Sequence, residues 1–471
     1  MIGRQEYQPQ LFATVDIEKL VPQNHLLRKI DKVLDLSFIR EMTSHLYCSD
    51  NGRPSIDPEL FFRIYLLIFL FNIDSDRHAC EELQCHLAYR WFCRLSLEDT
   101  VPDHSSLSKI RDRLGEETFK NIFEKIVNIC FERGLIKGSK VMMDGSIVKA
   151  DAALRSMVDR PKEGEKLEDK VPPKYIKGRK MGNEHQVSKT DPEATLAGKV
   201  GEPKKLAYKV HNMADRDGRV IVDTHVTTGA DVEGKVMFGR IKKYESTFGK
   251  TVEEFTGDRG YGYAENLHDL HNNGINAFVP RFHSDSGDRV ERDSAGFVYD
   301  KANDFYVCPQ GHQLTAIQGP TPEYKRYRII GGHCASCPLR EACLNMKSMR
   351  TRNAKHIDVH IYHEDLERAM QVEGTEEFRQ ARGERQWKME GLFAEAKNYH
   401  GLDRARYRSR SKMQIQAYMI AVVQNIKRLA ASMPELTPLI AHLRRFLENR
   451  HKSWCEKIWV RFSFTQIETA S

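Results

Sequence analysis

The chain has 471 residues, room for about three domains at roughly 150 residues each. Hydrophobic residues make up 40% and there are 30 glycines, a composition that buries a real core and excludes a wholly disordered chain. Lys plus Arg is 73 against 66 for Asp plus Glu, and this formal +7 permits a polyanionic partner without demanding one.

The first ten residues, MIGRQEYQPQ, are polar and contain no secretory h-region. The most apolar stretch, Leu60 to Phe71, is broken by Arg63 and falls short of the roughly 20 apolar residues that span a bilayer. A soluble, cytoplasmic protein with no membrane partner is expected. Residues 1–135 read as a helical N-terminal domain. Asp57 caps a helix with Pro58 at its first position, and the apolar interior from Glu59 to Phe71 marks it as a core helix. A second helical stretch covers 78–95, and a third starts near Ser105 with Leu107, Ile110 and Leu114 on helical spacing. Arg90, Arg94, Lys109, Arg111 and Arg113 on these short helices are compatible with DNA binding and equally with a solvated bundle. Cys80, Cys85 and His86 fall inside a helix and read as packing.

Residues 136–280 change character. Lys140 to Asp144 (KVMMD) reads as a buried strand, with Ser146 to Ala150 as the next. Residues 155–205, rich in Lys, Glu, Pro and Gly, predict a long exposed loop. Leu206–Met213 and Arg219–Thr228 are rich in β-branched residues and flank the turn signal Asp215–Gly218. Then follow a helix over 232–247, a strand over Val252–Gly257 ending at Asp258, a helix over Tyr263–Asn273 stopped by Gly274, and a strand over Ile275–Pro280. This order predicts an α/β fold with a mixed sheet, antiparallel hairpins first and crossovers after. Residues 281–378 interrupt the rhythm with a cysteine-rich insertion. Residues 379–432 complete the domain with helices over 380–398 and 412–432, and 433–471 form a basic C-terminal tail.

Asp144 and Asp258 each close a predicted strand, where ligand and catalytic groups of α/β sheets gather. Glu390 lies on the helix after the insertion. Three carboxylates on separate elements can hold two divalent ions; hard oxygens suit Mg²⁺, and such pairs serve phosphodiester chemistry. Taken singly, each is equally a turn or cap residue.

Several segments together resemble the DDE transposases of bacterial insertion sequences, in the group with a cysteine-containing insertion between the second Asp and the Glu. They are RPSIDPELFFRIYLL at 53–67, PDHSSLSKIRDRLG at 102–115, MMDGSIVKADAA at 142–153, TDPEA at 190–194, KLAYKVHNMADRDGRVIVDTHVTTGADVEG at 205–234, FTGDRGYGY at 255–263 and RQWKMEGLFAEAKNYHGLDRARYRSRSKMQIQAYMIAVVQNIKRL at 385–429. The resemblance implies an RNase H-like mixed sheet flanked by helices. It also implies an Asp144–Asp258–Glu390 triad holding Mg²⁺ or Mn²⁺, and strand transfer on double-stranded DNA at transposon ends and target, by a nucleoid-associated protein that dimerises to pair two ends. The intervals of 114 and 132 residues within the triad are long, and the 155–205 loop and the insertion account for the excess.

Glu395 competes for the third position. Glu390 and Lys397 lie within about 20° of each other on a helix, whereas Glu395 is about 140° round from Glu390. Related transposases separate a Glu and a Lys by six residues, as Glu390 and Lys397 are, and that Lys approaches a DNA phosphate. The same signature expects an Arg four before the Glu and a Tyr seven before it, where this chain has Gln386 and Gly383. Arg385 and Arg382 are off register. Arg259, Lys397, Arg404, Arg406, Arg408 and Arg410 are read as a basic rim, half of it touching DNA phosphates. Tyr261 and Tyr407 read as packing.

Cys308, Cys334, Cys337 and Cys343 fall within 36 residues, and CxxC is a knuckle spacing. A structural Zn²⁺, an iron–sulfur cluster and metal-free thiols are the readings left open, with His312 and His333 as alternative ligands. A strand-transferring enzyme is the leading function. An RNase H-like nuclease that does not join, and an inactive DNA-binding descendant, are the alternatives.

Overall fold

A computed structural model of the chain describes residues 16–48, 55–172, 182–198, 201–282, 296–344 and 354–432. The expected C-terminal tail, 433–471, lies outside them. By its contacts the chain divides into two units, one of residues 1–137, 145–230 and 391–471, the other of residues 138–144 and 231–390. The first unit holds the N-terminal helices together with the last helix of the described residues.

That unit begins with α1 (Pro58–Leu70), capped by Asp57, whose carboxylate accepts the Glu59 N–H at 2.9 Å. Arg63, the one charge in its interior, is buried and bonded to Glu59 at 2.8 Å, Asp31 at 3.0 Å and the Phe92 carbonyl at 2.9 Å. A buried guanidinium survives only when its donors are met in this way. The stretch expected over 78–95 is two helices, α2 (Asp76–Cys85) and α3 (Leu87–Phe92), because His86 leaves helical geometry and caps the second. Helix α4 (His104–Glu132) is kinked at Gly115, whose φ of +65° suits a residue without Cβ.

Strand β1 (Lys140–Lys149) is continuous through Gly145, where two strands were expected. Its second half is held within the first unit. Ala150 donates to the Leu206 carbonyl at 2.9 Å at the start of β2 (Lys205–Asp215), so these strands are antiparallel. On its other edge Lys149 donates its N–H to the Asp403 carbonyl at 3.2 Å and accepts the Ala405 N–H at 2.8 Å. Strand β3 (Ile221–Thr228) pairs antiparallel with β2, His211 opposite His225. The α9 helix (Arg410–Ala431) then covers this edge. Asn425 brackets Ile221, accepting its N–H at 2.9 Å and donating to its carbonyl at 2.8 Å. Gln414 does the same between the Val226 N–H (2.7 Å) and the Thr224 carbonyl (3.0 Å). An edge strand's open backbone groups are thus satisfied by two buried amides on an otherwise apolar helix. The same helix packs against α1 and α4, which ties the N-terminal helices to it.

Residues 155–205, expected as an exposed loop, carry three short strands among their described residues. Met157–Asp159 pairs with Gln186–Ser188, and Thr195–Ala197 pairs antiparallel with the start of β2. Met157, Val158 and Val187 are buried and the Ser156 and Ser188 hydroxyls bond at 2.8 Å, so a few apolar pairs suffice where overall composition is polar.

In the second unit the first half of β1 pairs in parallel with β4 (Glu254–Thr256), and β4 in parallel with β5 (Asn276–Phe278). The crossovers are α5 (Gly234–Phe248) and α6 (Ala264–Asn272). The connectivity is that of an RNase H-like sheet: a first strand with an antiparallel pair on one side and two helix-linked parallel strands on the other.

The insertion is a five-stranded antiparallel sheet of β6 (Val298–Asp300), β7 (Phe305–Val307), β8 (Gln313–Gln318), β9 (Tyr324–Ile329) and β10 (His356–His360). It has an apolar core of its own, including Leu314, Tyr327, Ile329 and Ile357. Helix α7 (His363–Glu373) follows and is pinned to α6 by Asp365, which receives His268 at 2.7 Å and His271 at 2.8 Å. The chain then enters α8 (Glu376–Tyr399). Among the described residues no helix is long and apolar enough to cross a membrane.

Candidate acidic site and its surroundings

Met142 of β1 pairs with Thr256, the last residue of β4; Asp144 lies two residues further along β1, and Asp258 two residues past the end of β4. Beyond Thr256 the chain makes a short 3₁₀ turn, Arg259–Tyr261, capped by the Asp258 carboxylate, which accepts the Gly260 N–H at 2.8 Å. That bond fixes the direction of the carboxylate.

Tyr261 is fully buried, as its reading as a packing residue implied, and its hydroxyl has no hydrogen-bond partner among the described residues. Burial, then the neighbouring charges of Glu233, Asp144 and Asp258, push its ionisation well above the usual tyrosine range, with the Arg385 guanidinium opposing them. Arg385 lies 3.4 Å from Asp144. Its Nη1, though buried, makes no hydrogen bond, so the pair is a loose electrostatic contact. Sequence reasoning set Arg385 aside as off register, and the structure brings it to the first Asp.

Glycines allow this crowding. A methyl on Gly260 would sit 2.9 Å from a Glu233 carboxylate oxygen and 3.0 Å from an Asp258 oxygen. A methyl on Gly234 would meet the Tyr263 ring at 2.7 Å and the Asn266 amide at 2.8 Å. At Gly262 the clash is with backbone, 1.9 Å from the Pro280 carbonyl oxygen. Gly262→Ala is expected to displace the turn that carries Asp258 and to lower unfolding free energy by about 1–3 kcal/mol, the usual cost of overpacking. Urea unfolding monitored by circular dichroism measures it, and an unchanged midpoint would refute this reading of the contact.

The third carboxylate, Glu390, is exposed on α8. Its competitor Glu395 is taken up elsewhere: it accepts from Lys427 at 2.5 Å and from Arg428 and Gln424 at 3.2 Å. Burial alone would raise its pKa, but the bonds from His400 and Lys427 and the charges of Arg428 and Lys427 outweigh it and hold it far below the carboxylate range. Glu395 is a structural anion.

The expected basic rim divides. Arg259 is exposed beside Asp258, and Lys397 is half-buried near the end of α8. Arg404 and Arg408 are more than half exposed and share one anchor, Asp151, at 2.7 Å and 3.3 Å. Arg410 caps near Glu193. Arg406 does not belong to a rim. Its guanidinium bonds the Ile73 carbonyl and the Asn72 side chain and stacks over Phe69, and burial lowers its pKa, so it fastens the end of α1. Tyr407 packs under Arg111, whose guanidinium lies 4.0 Å from the ring centroid.

In the insertion, Cys308, Cys334, Cys337 and Cys343 line one cavity of about 220 Å³ together with His312, His333 and Lys355. None is in a disulfide. Burial, and the proximity of the other three thiols, raises the Cys343 pKa against the pull of Lys355. Among the described residues no three His, Cys, Asp or Glu side chains are drawn together tightly enough to hold an ion as they stand.

Residues 307–430 match the family model of a transposase DDE domain. That stretch is similar to a transposase DDE domain. Residues 15–113 match a second family model, a transposase domain (DUF772). The DDE-domain match takes in Glu390 and the four cysteines and starts after Asp144 and Asp258. No curated protein matches the chain. Among solved structures it is similar to the piggyBac transposase synaptic complex with hairpin DNA, at 11% identity over 86% of this chain and 74% of that one, with a TM-score of 0.34. It is also similar to the Mos1 transposase paired-end complex with left transposon end, at 11% identity over 49% and 61%, TM-score 0.16. For the Mos1 mariner paired-end complex with Mn the values are 11%, 57% and 73%, TM-score 0.16.

Proposed function

We propose that the chain is a DDE-type transposase that cleaves DNA and transfers strands at the ends of a mobile element, with Asp144, Asp258 and Glu390 as its metal-holding triad. The observation that carries this reading is the pairing of β1 with β4 in parallel, with Asp144 two residues past Met142 and Asp258 two residues past its partner Thr256, in a chain whose residues 307–430 match the model of a transposase DDE domain. Asp144, Asp258 and Glu390 offer the hard carboxylate oxygens that a divalent ion takes, and among the described residues no three such side chains stand close enough to hold one as they are placed. When bound, Mg²⁺ or Mn²⁺ supplies a more acidic attacking oxygen and charge stabilisation at the leaving oxygen.

The chain's own residues do the rest. Asp144, beside Arg385, presents its oxygens from within β1, and Asp258, oriented by the Gly260 N–H, from the turn after β4. Arg259, Lys397, Arg404 and Arg408 bind phosphates and fix the register of the duplex. Water attacks the scissile phosphorus, the P–O3′ bond breaks, and the freed 3′-hydroxyl then attacks a target phosphodiester in the same way. Pairing two ends requires two copies of the chain on DNA.

The test is a cleavage and joining assay on labelled DNA carrying the flanks of this gene's own reading frame, with Mg²⁺, Mn²⁺ or EDTA. Nicking and joining that require a divalent ion are the expected result. Nicking without joining would replace the transposase with a nuclease, and binding without nicking would leave an inactive DNA-binding protein.

The cysteine cavity is proposed to hold a structural Zn²⁺, for which four thiols in one cavity are a soft donor set. Purified protein is expected to be colourless and to contain about one Zn per chain, a content that Cys337→Ser abolishes. Elemental analysis decides: iron with visible absorbance would assign a cluster, and no metal would leave free thiols.

A further inference from the structure

The arginine-rich segment after α8 runs along the end of β1. Lys149 bonds the backbone of Asp403 and Ala405, so the segment is zipped to the strand. Arg406 turns inward onto Asn72 and Phe69. Arg404 and Arg408 stay at the surface, their side chains 54% and 59% exposed. Both reach back to the same residue, just past the strand end. One Asp151 oxygen accepts from Arg404 Nη2 at 2.7 Å, and the other stands 3.3 Å from Arg408 Nε. Arg408 Nε also donates to the Asp151 main-chain carbonyl at 3.3 Å. One carboxylate thus lies across two guanidiniums. Carboxylate and phosphate oxygens suit the same fork of N–H donors, so Asp151 fills the place that a phosphate would take.

The next two cations along the chain are matched in the same manner, Lys412 with Asp112 at 3.0 Å and Arg410 with Glu193 at 4.0 Å. Ion pairs this exposed contribute little to folding, so stability does not account for the pattern. A second observation concerns the backbone. Ser409, directly after Arg408, has φ +82° and ψ +150°, a region that residues with a Cβ rarely adopt. It is held there from both sides. Its N–H reaches Asp191 Oδ1 at 3.3 Å, and its hydroxyl accepts the Lys412 N–H at 3.4 Å. A strained residue next to a clasped arginine marks a segment that other contacts hold in its conformation.

We propose that Asp151 is a clasp that occupies Arg404 and Arg408 until DNA arrives: a phosphodiester group displaces the carboxylate from both guanidiniums, and the clasp thereby lowers affinity for DNA of arbitrary sequence. This deepens the reading of Arg404 and Arg408 as phosphate contacts and rests on it. The partner is recognised by its backbone charge alone, so the effect is independent of sequence.

The test is binding of the full chain to a labelled duplex of arbitrary sequence over a salt series. Wild type is compared with Asp151→Asn, with the pair Arg404→Ala and Arg408→Ala, and with all three substitutions together. Each variant is checked by a thermal melt. Asp151→Asn is expected to bind about threefold to tenfold more tightly at low salt, the size of one or two surface ion pairs released. Its log–log salt dependence should steepen by about 0.9, one further phosphate charge neutralised. The arginine pair is expected to weaken binding, and Asp151→Asn to have no effect in that background. Unchanged or weaker binding by Asp151→Asn would overturn the clasp and leave the arginines as phosphate contacts. An equal gain with and without the arginines would reduce it to a general charge effect and also overturn the clasp. Wild-type affinity in the arginine pair would overturn the phosphate role of both arginines, and the clasp with it.

Discussion

Glu390→Gln is expected to abolish strand cleavage, by on the order of a thousandfold or more, while DNA affinity changes little. Each decade of rate is about 1.4 kcal/mol of barrier, so the substitution is asked to remove about 4 kcal/mol of transition-state stabilisation. A carboxylate that helps hold a catalytic cation can supply that much, because the ion acts on charge that develops only in the transition state. The amide keeps the shape and the helix propensity of Glu on an exposed face, so the fold has no reason to change. Asp144→Asn and Asp258→Asn should give losses of the same order, and the three should not add, since residues that act as one unit are removed together by any single substitution. Single-turnover cleavage with Mg²⁺ and a filter-binding isotherm are measured on the same preparations. Glu390→Gln with wild-type cleavage would remove it from the triad.

How much of this was legible in the sequence differs from element to element. The pairs that place Asp144 and Asp258 were legible because β4 and β5 are short apolar runs between helices with clear stripes and a clean stop at Gly274. The continuity of β1 through Gly145 was not, since a Gly after a strand-ending Asp reads as a turn and only its neighbours show otherwise. The short strands in 157–197 escaped because three-residue pairings leave no periodicity to detect. Gln414 and Asn425 looked like polar interruptions of an apolar helix, and their purpose is visible only with the β3 edge in place. Arg406 shows the limit of reading charge: within RARYRSRSK nothing distinguishes the arginine that turns inward from the two that share Asp151.

Glu395→Gln is expected to destabilise the protein rather than its chemistry. Glu395 stands where Lys427, Arg428 and His400 converge, and the imidazole is itself fixed by its Nδ1 bond to the Phe69 carbonyl at 2.7 Å. The amide cannot offset two cations, and His400 and Arg428 are too enclosed to turn to water instead. Breaking a buried pair costs about 3–5 kcal/mol, and with Glu395 and Lys427 still partly exposed the low end, about 3 kcal/mol, applies. The pH dependence has a definite sign. The folded state holds the Glu395 pKa far below its unfolded value of about 4.3, so folding favours the ionised form. Its contribution is fully present above that unfolded value and is lost progressively as the pH falls below it. Urea unfolding of wild type and Glu395→Gln should therefore differ by about 3 kcal/mol at pH 7 and converge as the pH drops below about 4. A gap that stays constant across that range would mean that the ion pairs do not set it. A variant as stable as wild type but dead in cleavage would exchange the roles of Glu390 and Glu395.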